Sequence, residues 1–269
     1  MVGSAFSLPE LLVIGAMRAG TTSLFRYLSQ HPSLDRGLRK EIDYFTYFYD
    51  RGPRWYRAHF APRWASTKSF EACPYYLFHP LAPQRVAELL PHARIVVLLR
   101  DPIDRAFSHW RHLSRVGVET LPFDEAIAAE AERLRGSEEL LRTGRTLRVR
   151  DHERFSYMAR GRYAAQLERW LEYFPAESIR VFQFDDLVAK TQTVLDEVCR
   201  HAGVPTFVPD DLRNFSEVGR SAEYRESAHA GAEGPSAELR ARLEGELAAE
   251  GAKLRALLEA NPILTPPIP

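Results

Sequence analysis

Residues 11–31 read LLVIGAMRAGTTSLFRYLSQH, and this stretch decides the fold. Its first four residues form a short apolar run, which is typical of a strand buried on both faces. Apolar side chains recur at helical spacing after Thr21, so a turn bracketed by Gly15 and Gly20 joins a strand to a helix. The first N–H groups of such a helix are unpaired and carry its positive dipole end, which favours an anion. The stretch predicts a phosphate cradle; the alternative is an ordinary turn whose glycines only permit tight turning.

The spacing of the two glycines matches the start of a triphosphate-binding loop, but Thr21 stands where that loop has lysine. In such loops the lysine reaches the terminal phosphates and the next hydroxyl holds magnesium. The cation here is Arg18, inside the turn, and a guanidinium can grip one phosphate-like group at two points without a metal. We therefore expect a nucleotide with a short, compact anionic group at its 5′ end, and no metal site.

The length and composition predict a single domain over residues 1–269, and its apolar runs separated by helical patterns make it an α/β domain. Its last helix is expected over about 236–260, followed by a loose tail over 261–269. Lys plus Arg equals Asp plus Glu at 36 each, so no overall field recruits nucleic acid or an anionic membrane. Cys73 and Cys199 lack metal-site spacing and fit a reducing compartment. Because no apolar run approaches the roughly 20 residues of a membrane span, we expect a cytoplasmic protein.

Two further apolar runs predict strands, over residues 94–99 and 179–184. A shorter strand is expected over residues 69–76, ended by Pro74, whose ring removes a ladder donor. Helical patterns separate these runs, one of them over residues 187–202. The order predicts a mainly parallel central sheet flanked by helices in three layers.

The second strand runs into Arg100 at the carboxyl edge of the sheet, where ligands bind in such folds. Ser108 lies about two turns along the following helix and adds a hydroxyl on the same side, so we expect a second anion site there. The alternative is that Arg100 pairs with Asp101 or Asp104 to cap the helix. The nearby His109 and His112 have no ligand partners at metal spacing and are expected to pack or make polar contacts.

Residues 40–48 read KEIDYFTYF, a segment dense in aromatic side chains. Such density usually means packing. The functional alternative is that Glu41 projects into a cleft walled by Tyr44, Phe45 and Tyr47, where partial desolvation makes it a better proton acceptor.

Residues 136–155 form a polar connection that carries five arginines among acidic residues. Interleaved charges favour a solvated face over a basic rim around an acceptor site. The five are Arg142, Arg145, Arg148, Arg150 and Arg154. Residues 205–234 are polar and loop-like, and Arg220 there could fold over a ligand.

Five segments of the chain, taken in order, resemble the sulfotransferases that use 3′-phosphoadenosine 5′-phosphosulfate, PAPS. They are GAMRAGTTSL, KEIDYF, EACPYYL, RDPIDRAFSHW and GRYAAQLERWLEYFP. The resemblance covers roughly residues 11–203 and is closest to the carbohydrate branch, with its heparan sulfate enzymes and bacterial relatives. It implies a P-loop-like three-layer fold. It also implies metal-independent transfer of the sulfonyl group to a hydroxyl of a carbohydrate or small natural product, releasing 3′-phosphoadenosine 5′-phosphate.

The resemblance also assigns residues. The 5′-phosphosulfate loop comprises Gly15, Arg18, Ala19, Gly20, Thr21, Thr22 and Ser23. Arg100 and Ser108 match the 3′-phosphate pair, Glu41 matches the base that faces the acceptor, and Arg220 falls near a late loop that covers the nucleotide.

Three departures limit the match. Ala72 stands where the heparan sulfate enzymes have a lysine near the sulfonyl group, so Arg18 or Lys40 is expected to replace it. Asp43 stands where they have histidine, and its charge would raise the proton affinity of Glu41 if the two side chains approach. The late cysteine pair of the secreted enzymes is missing.

Two rival functions remain open at this point: a P-loop kinase or NTPase, and a non-catalytic nucleotide-binding protein on the same fold. The first needs a lysine after Gly20, which is absent. The expected partner is a glycan or small-molecule acceptor, since the aromatic residues near Trp55 fit a sugar face or a phenolic ring equally well. The sequence carries no prediction of oligomeric state.

Overall fold

A computed structural model describes residues 7–60, 67–212 and 234–268. Within them, one sheet of five parallel strands has the order β2-β3-β1-β4-β5. The strands are β1 (Pro9–Gly15), β2 (Leu34–Asp35), β3 (Lys68–Ala72), β4 (Arg94–Leu99) and β5 (Ile179–Gln183). The predicted parallel α/β fold is confirmed.

Helices connect the strands. The first six are α1 (Thr21–Leu28), α2 (Gly52–Arg57), α3 (Tyr75–Phe78), α4 (Ala82–Leu89), α5 (Pro102–Arg115) and α6 (Phe123–Arg133). The next three are α7 (Ser137–Arg142), α8 (Arg150–Arg154) and α9 (Tyr163–Leu171). The last three are α10 (Phe184–Ala189), α11 (Thr191–Ala202) and α12 (Ala237–Ala260). Within the described ranges, no helix is both long enough and apolar enough to cross a membrane.

The central strands are buried as their composition predicts. Residues 11–14 of β1 are almost wholly inaccessible, and β1 pairs with β3 on one side and β4 on the other. Parallel strands buried on both faces need continuous apolar side chains, because helices cover the sheet above and below. The carboxyl ends of β1, β3 and β4 therefore meet at one edge, which carries the predicted site residues.

Some expectations about the bounds of elements were wrong. Strand β5 ends at Gln183, and Phe184 begins α10, because Asp185 and Asp186 in the first turn complement the helix dipole. The helix expected over residues 187–202 is accordingly two helices, which meet at Lys190.

The connection over residues 136–155 is also more ordered than expected, because it contains α7 and α8. Glutamates in the first turn of α7 and an arginine in its last turn match the helix dipole. In the tail expected to be loose, Pro262–Leu264 forms a 3₁₀ turn and Leu264 is fully buried.

Helix α12 packs on a second apolar cluster beside the sheet. Leu243 and Leu247 are buried there against α5, in a cluster that includes Trp110. Polar contacts fix the helix at both ends of this contact: Arg240 pairs with Asp104, and Glu250 accepts the N–H of Ala164 at 3.0 Å. The last helix thus stabilises α5, which carries Ser108.

Candidate functional site

The turn over residues 15–20 needs both of its glycines. A Cβ on Gly15 would lie 2.6 Å from the Cβ of Leu77, because α3 approaches the end of β1 closely. Gly20 has φ +87, and a Cβ there would lie 3.0 Å from side-chain atoms of Phe184 and Leu187. Arg18 also takes a left-handed conformation, with φ 69, which non-glycine residues seldom adopt. The turn is tight, and it packs directly on α3 and α10.

The start of α1 presents its backbone donors at this turn. The first hydrogen bond of the helix runs from the N–H of Leu24 to the carbonyl of Gly20, at 3.0 Å. The N–H groups of Thr21, Thr22 and Ser23 therefore precede the helical ladder, which is the arrangement an anion cradle requires. Ala19 is buried, and its N–H closes the turn on the carbonyl of Ala16 at 3.1 Å.

Arg18 joins the two anion sites expected from the sequence. Its Nε donates to the Oγ of Ser108 on α5, at 3.1 Å. Its backbone carbonyl accepts from Nη1 of Arg100, at 3.3 Å, and the Arg100 guanidinium lies 4.7 Å from the centroid of the Phe184 ring. Arg18, Arg100 and Ser108 therefore form one connected group at the carboxyl edge of β1 and β4.

The described contacts do not show the alternative role for Arg100, in which it would pair with Asp101 or Asp104. Asp101 caps α5 itself, because its Oδ1 accepts the N–H groups of Ile103 at 3.1 Å and Asp104 at 2.8 Å. Arg240 supplies the cation for these acids and lies 3.6 Å from Asp101. The Arg100 head group is instead directed to the turn.

A second segment, residues 39–48, is held by the end of β3. The N–H of Glu41 donates to the carbonyl of Ala72 at 3.0 Å, and the N–H of Ile42 donates to Oε1 of Glu71 at 3.2 Å. Glu41 and Asp43 both have positive φ, 58 and 59. Two left-handed residues in so short a segment are costly, and these anchoring bonds maintain them.

Glu41 itself is half exposed, with 49% of its side-chain surface accessible, and its carboxylate contacts the ammonium group of Lys40. Tyr44 and Phe45 are core residues: Tyr44 stacks on Tyr56 with ring centroids 4.5 Å apart. The packing prediction for these aromatics is confirmed. The alternative, in which they wall a cleft around Glu41, is wrong for Tyr44 and Phe45.

Two acidic side chains, Asp43 in this segment and Glu71 in β3, have raised pKa values. Burial raises the pKa of Glu71 to about 7, although the hydroxyls of Tyr56 and Tyr76 donate to it and oppose the rise. Burial raises the pKa of Asp43 to about 6, and the charge of Glu41 adds to that rise. The thiol of Cys73 donates to Asp43 at 3.1 Å. Asp43 and the Glu71 carboxyl that anchors Ile42 therefore both bind protons more readily than usual.

His112 belongs to α5, four residues after Ser108. Burial and then the charge of Arg18 lower its pKa, while Glu41 acts in the opposite direction. The charges of Arg18 and Glu41 therefore act on His112 in opposite directions. His109 was expected to pack, and it is fully buried.

The 136–155 connection reaches the 39–48 segment through one of its five arginines. Arg148 lies over the ring of Tyr47, 4.6 Å from the centroid, and pairs with Glu153 through two contacts of 2.8 and 2.9 Å. Arg142 instead pairs with Glu138 on α7 at 2.7 Å, in an exposed i,i+4 pair. Arg145 and Arg150 are exposed and Arg154 is half-buried. The solvated-face prediction holds for Arg142, Arg145, Arg148 and Arg150, which are all exposed, although Arg148 also covers the Tyr47 ring.

Comparison with known proteins identifies this architecture. The family model described as the sulfotransferase domain matches residues 8–226. The chain belongs to the sulfotransferase family. A solved sulfotransferase from Alicyclobacillus acidocaldarius is 32% identical, with a TM-score of 0.75, and the match covers 94% of this chain and 96% of that one. The resemblance found in the sequence is therefore confirmed at the level of the family.

Among curated proteins, this sulfotransferase is similar to bifunctional heparan sulfate N-deacetylase/N-sulfotransferases. It is 32% identical over 207 residues to N-deacetylase/N-sulfotransferase 1 from Caenorhabditis elegans. It is 35% identical over 208 residues to N-deacetylase/N-sulfotransferase 3 from Homo sapiens. These matches cover 75% and 73% of this chain. The chain spans less than a quarter of the length of either relative, 23% and 22%.

Sequence reasoning gave no site role to two residues that the structure associates with the candidate site. Glu71, in the EACPYYL segment, was given no role, although an acid in an apolar strand is a signal for a buried hydrogen-bond network. His112 was expected only to pack or make polar contacts, although it lies four residues after Ser108 and so on the same helix face. Arg220 lies outside the described residues.

Proposed function

We propose that this chain transfers the sulfonyl group of PAPS to a hydroxyl group of a carbohydrate or small natural product. The observation that carries the proposal is the joining of the 15–20 turn to Arg100 and Ser108 through Arg18. A nucleotide with anionic groups at both its 5′ and 3′ positions needs two anion sites at one sheet edge. Family membership makes PAPS the nucleotide to test first.

The residues divide the work of an in-line displacement. The acceptor oxygen bonds to sulfur while its proton passes to Glu41, the S–O bond to the nucleotide breaks, and 3′-phosphoadenosine 5′-phosphate leaves with the electron pair. Arg18 and the N–H groups at the start of α1 stabilise the charge that develops on the leaving oxygen. Arg100 and Ser108 hold the 3′-phosphate and so fix the register of the nucleotide.

Lys40 is placed to assist at the acceptor side. Its ammonium group contacts the carboxylate of Glu41, and only 18% of its side-chain surface is exposed. A cation beside the base would also neutralise charge on the transferring sulfonyl group. Lys40 and Arg18 together stand in for the lysine that Ala72 replaces.

An amine acceptor is the second candidate. The observation that favours it is the name of the curated relatives, which are N-sulfotransferases of heparan sulfate. An amine nucleophile must also lose a proton as it attacks sulfur, so Glu41 would have the same task.

The test incubates the full chain with radiolabelled PAPS and a panel of sugars, amino sugars, lipids and phenols, followed by mass spectrometry for added sulfonate. We expect transfer to at least one acceptor, at a rate that a chelator leaves unchanged. Activity that is lost with EDTA and restored by magnesium would instead support the kinase class. Nucleotide binding without transfer across the whole panel would support the non-catalytic alternative.

A further inference from the structure

Arg160 is a buried arginine behind the 15–20 turn. It belongs to the 3₁₀ helix Ala159–Gly161, and only 4% of its surface is exposed. Gly161 lets this helix approach α5 closely, since a Cβ there would lie 2.7 Å from the Cβ of Pro102. The packing brings Nη1 of Arg160 to 3.4 Å from the Sδ of Met17, in the turn itself.

The hydrogen-bond partners of Arg160 are neutral. Its Nε donates to the Oγ of Ser156 at 2.7 Å, and its Nη2 donates to the backbone carbonyl of Glu153 at 2.8 Å. The third contact, to the thioether of Met17, is with a weak acceptor. The guanidinium group is therefore held firmly on one side, while its Nη1 faces the turn with little to bond.

Within the described ranges, no carboxylate forms an ion pair with Arg160. Glu153 acts on it at longer range, but both oxygens of Glu153 are bonded to Arg148. The rings of Tyr75 and Phe78, 4.8 and 5.0 Å from the guanidinium carbon, compensate only part of the charge. A buried cation without a partner anion is costly, so its retention calls for an explanation.

Other cations gather at the same place. Burial, followed by the charges of Arg160, Arg105 and Arg18, lowers the pKa of His109 well below its usual value. Arg105 is fully buried and has two guanidinium nitrogens without a hydrogen-bond partner among the described residues. An anion bound in the turn would offset the mutual repulsion of these like charges.

We propose that Arg160 is a positioning residue for the 5′ end of the nucleotide. Its buried charge lies behind the turn at Met17 and stabilises the anionic group that the turn holds, and the inference rests on the proposed function for the identity of that group. Arg160 thereby adds positive charge to a site where Ala72 replaces a lysine and Lys40 already contacts Glu41.

The test uses calorimetry on the full chain with two nucleotides. 3′-Phosphoadenosine 5′-phosphate carries both phosphates, and adenosine 3′-phosphate lacks the 5′ group. Arg160→Gln removes the charge and keeps a polar side chain. We expect its affinity for the bisphosphate to fall about tenfold and its affinity for the 3′-phosphate to change by less than about twofold.

Arg169→Gln is the matched control. Arg169 is another part-buried arginine that donates to a backbone carbonyl, that of Phe78 at 3.3 Å, but it belongs to α9. We expect both affinities of this variant to match those of the wild type. An equal loss for both nucleotides in Arg160→Gln, or no loss for either, would overturn the inference.

A second variant decides the matter if Arg160→Gln does not fold. Arg160→Lys keeps a charge that burial lets titrate at lower pH than an arginine. From pH 6 to pH 9 we expect its affinity for the bisphosphate, relative to the 3′-phosphate, to fall progressively below that of the wild type. A ratio that follows the wild type at every pH would overturn the inference. A wild-type chain that binds neither nucleotide would contradict the proposed function instead.

Discussion

The 15–20 turn and the 39–48 segment lie at the same sheet edge, but different forces shape them. The shape of the turn depends on its backbone. Neighbouring side chains leave no room for a Cβ at either of its two glycines, and the N–H groups at the start of α1 precede the first hydrogen bond of the helix. The 39–48 segment depends on side chains from β3, since Glu71 holds the N–H of Ile42 and Cys73 bonds Asp43. The shape of the turn is therefore set mainly by local sequence, whereas the position of Glu41, the proposed base, depends on bonds to residues of another strand.

The largest expected effect separates chemistry from binding. Glu41→Gln keeps the size of the side chain but cannot accept a proton, so kcat should fall roughly 10²–10⁴-fold while nucleotide affinity stays near wild type. Glu138→Gln is the control, because Glu138 is also an exposed glutamate paired with a basic neighbour. Steady-state rates and calorimetry provide the two measurements.

Lys40→Ala provides the competing outcome. If charge stabilisation by Lys40 dominates, this variant loses more activity than Glu41→Gln. A Glu41→Gln rate within about threefold of the wild-type kcat, with chemistry rate-limiting, would end the assignment of Glu41 as base.

The next effect tests the support beneath the base through pH. A carboxyl group whose pKa is raised on folding stabilises the fold fully below its unfolded pKa, and this contribution is lost as pH rises through the folded pKa. For Glu71 the window runs from its ordinary value of 4.5 to about 7. As pH rises from 4.5 to 8, the wild type should therefore lose about 2–4 kcal/mol of unfolding free energy relative to Glu71→Gln, which has no carboxyl group to titrate at this position.

Denaturant unfolding across that pH range measures the effect. The exposed Glu138→Gln variant should follow the wild-type curve at every pH. Parallel curves for Glu71→Gln and the wild type would show that burial does not raise the pKa of Glu71.

The smallest expected effect concerns acceptor binding. Arg148 joins the 136–155 connection to Tyr47, so Arg148→Ala should raise the acceptor KM roughly 3- to 10-fold and leave nucleotide affinity unchanged. Arg142→Ala removes an exposed ion pair on the same connection and should change neither. A loss of nucleotide affinity in Arg148→Ala would contradict the division between the two regions.

The comparison also explains how far the sequence could predict the site. The apolar run over residues 11–14, the two glycines and the start of α1 are local signals, and the structure has them where they were expected. The approach of Arg18 to Ser108 follows once parallel strands bring β1 and β4 to one edge.

The remaining features depend on contacts between residues far apart in sequence. The bond from Ile42 to Glu71 spans 29 residues, and the contact between Arg160 and Met17 spans 143. No periodicity in the chain encodes such pairs. The split between α10 and α11 was missed for a different reason, because an apolar pattern continues across Lys190 while the backbone does not.

The central claim is that one sheet edge carries separate sites for the 3′- and 5′-groups of a nucleotide. The most direct measurement is the calorimetric affinity for 3′-phosphoadenosine 5′-phosphate and for adenosine 5′-phosphate, in the wild type, Arg100→Ala and Ser108→Ala. We predict that Arg100→Ala costs about 1.5–3 kcal/mol of binding free energy for the first nucleotide, with a smaller loss for Ser108→Ala and little loss for the second nucleotide in either variant. Equal losses for the two nucleotides would contradict the claim.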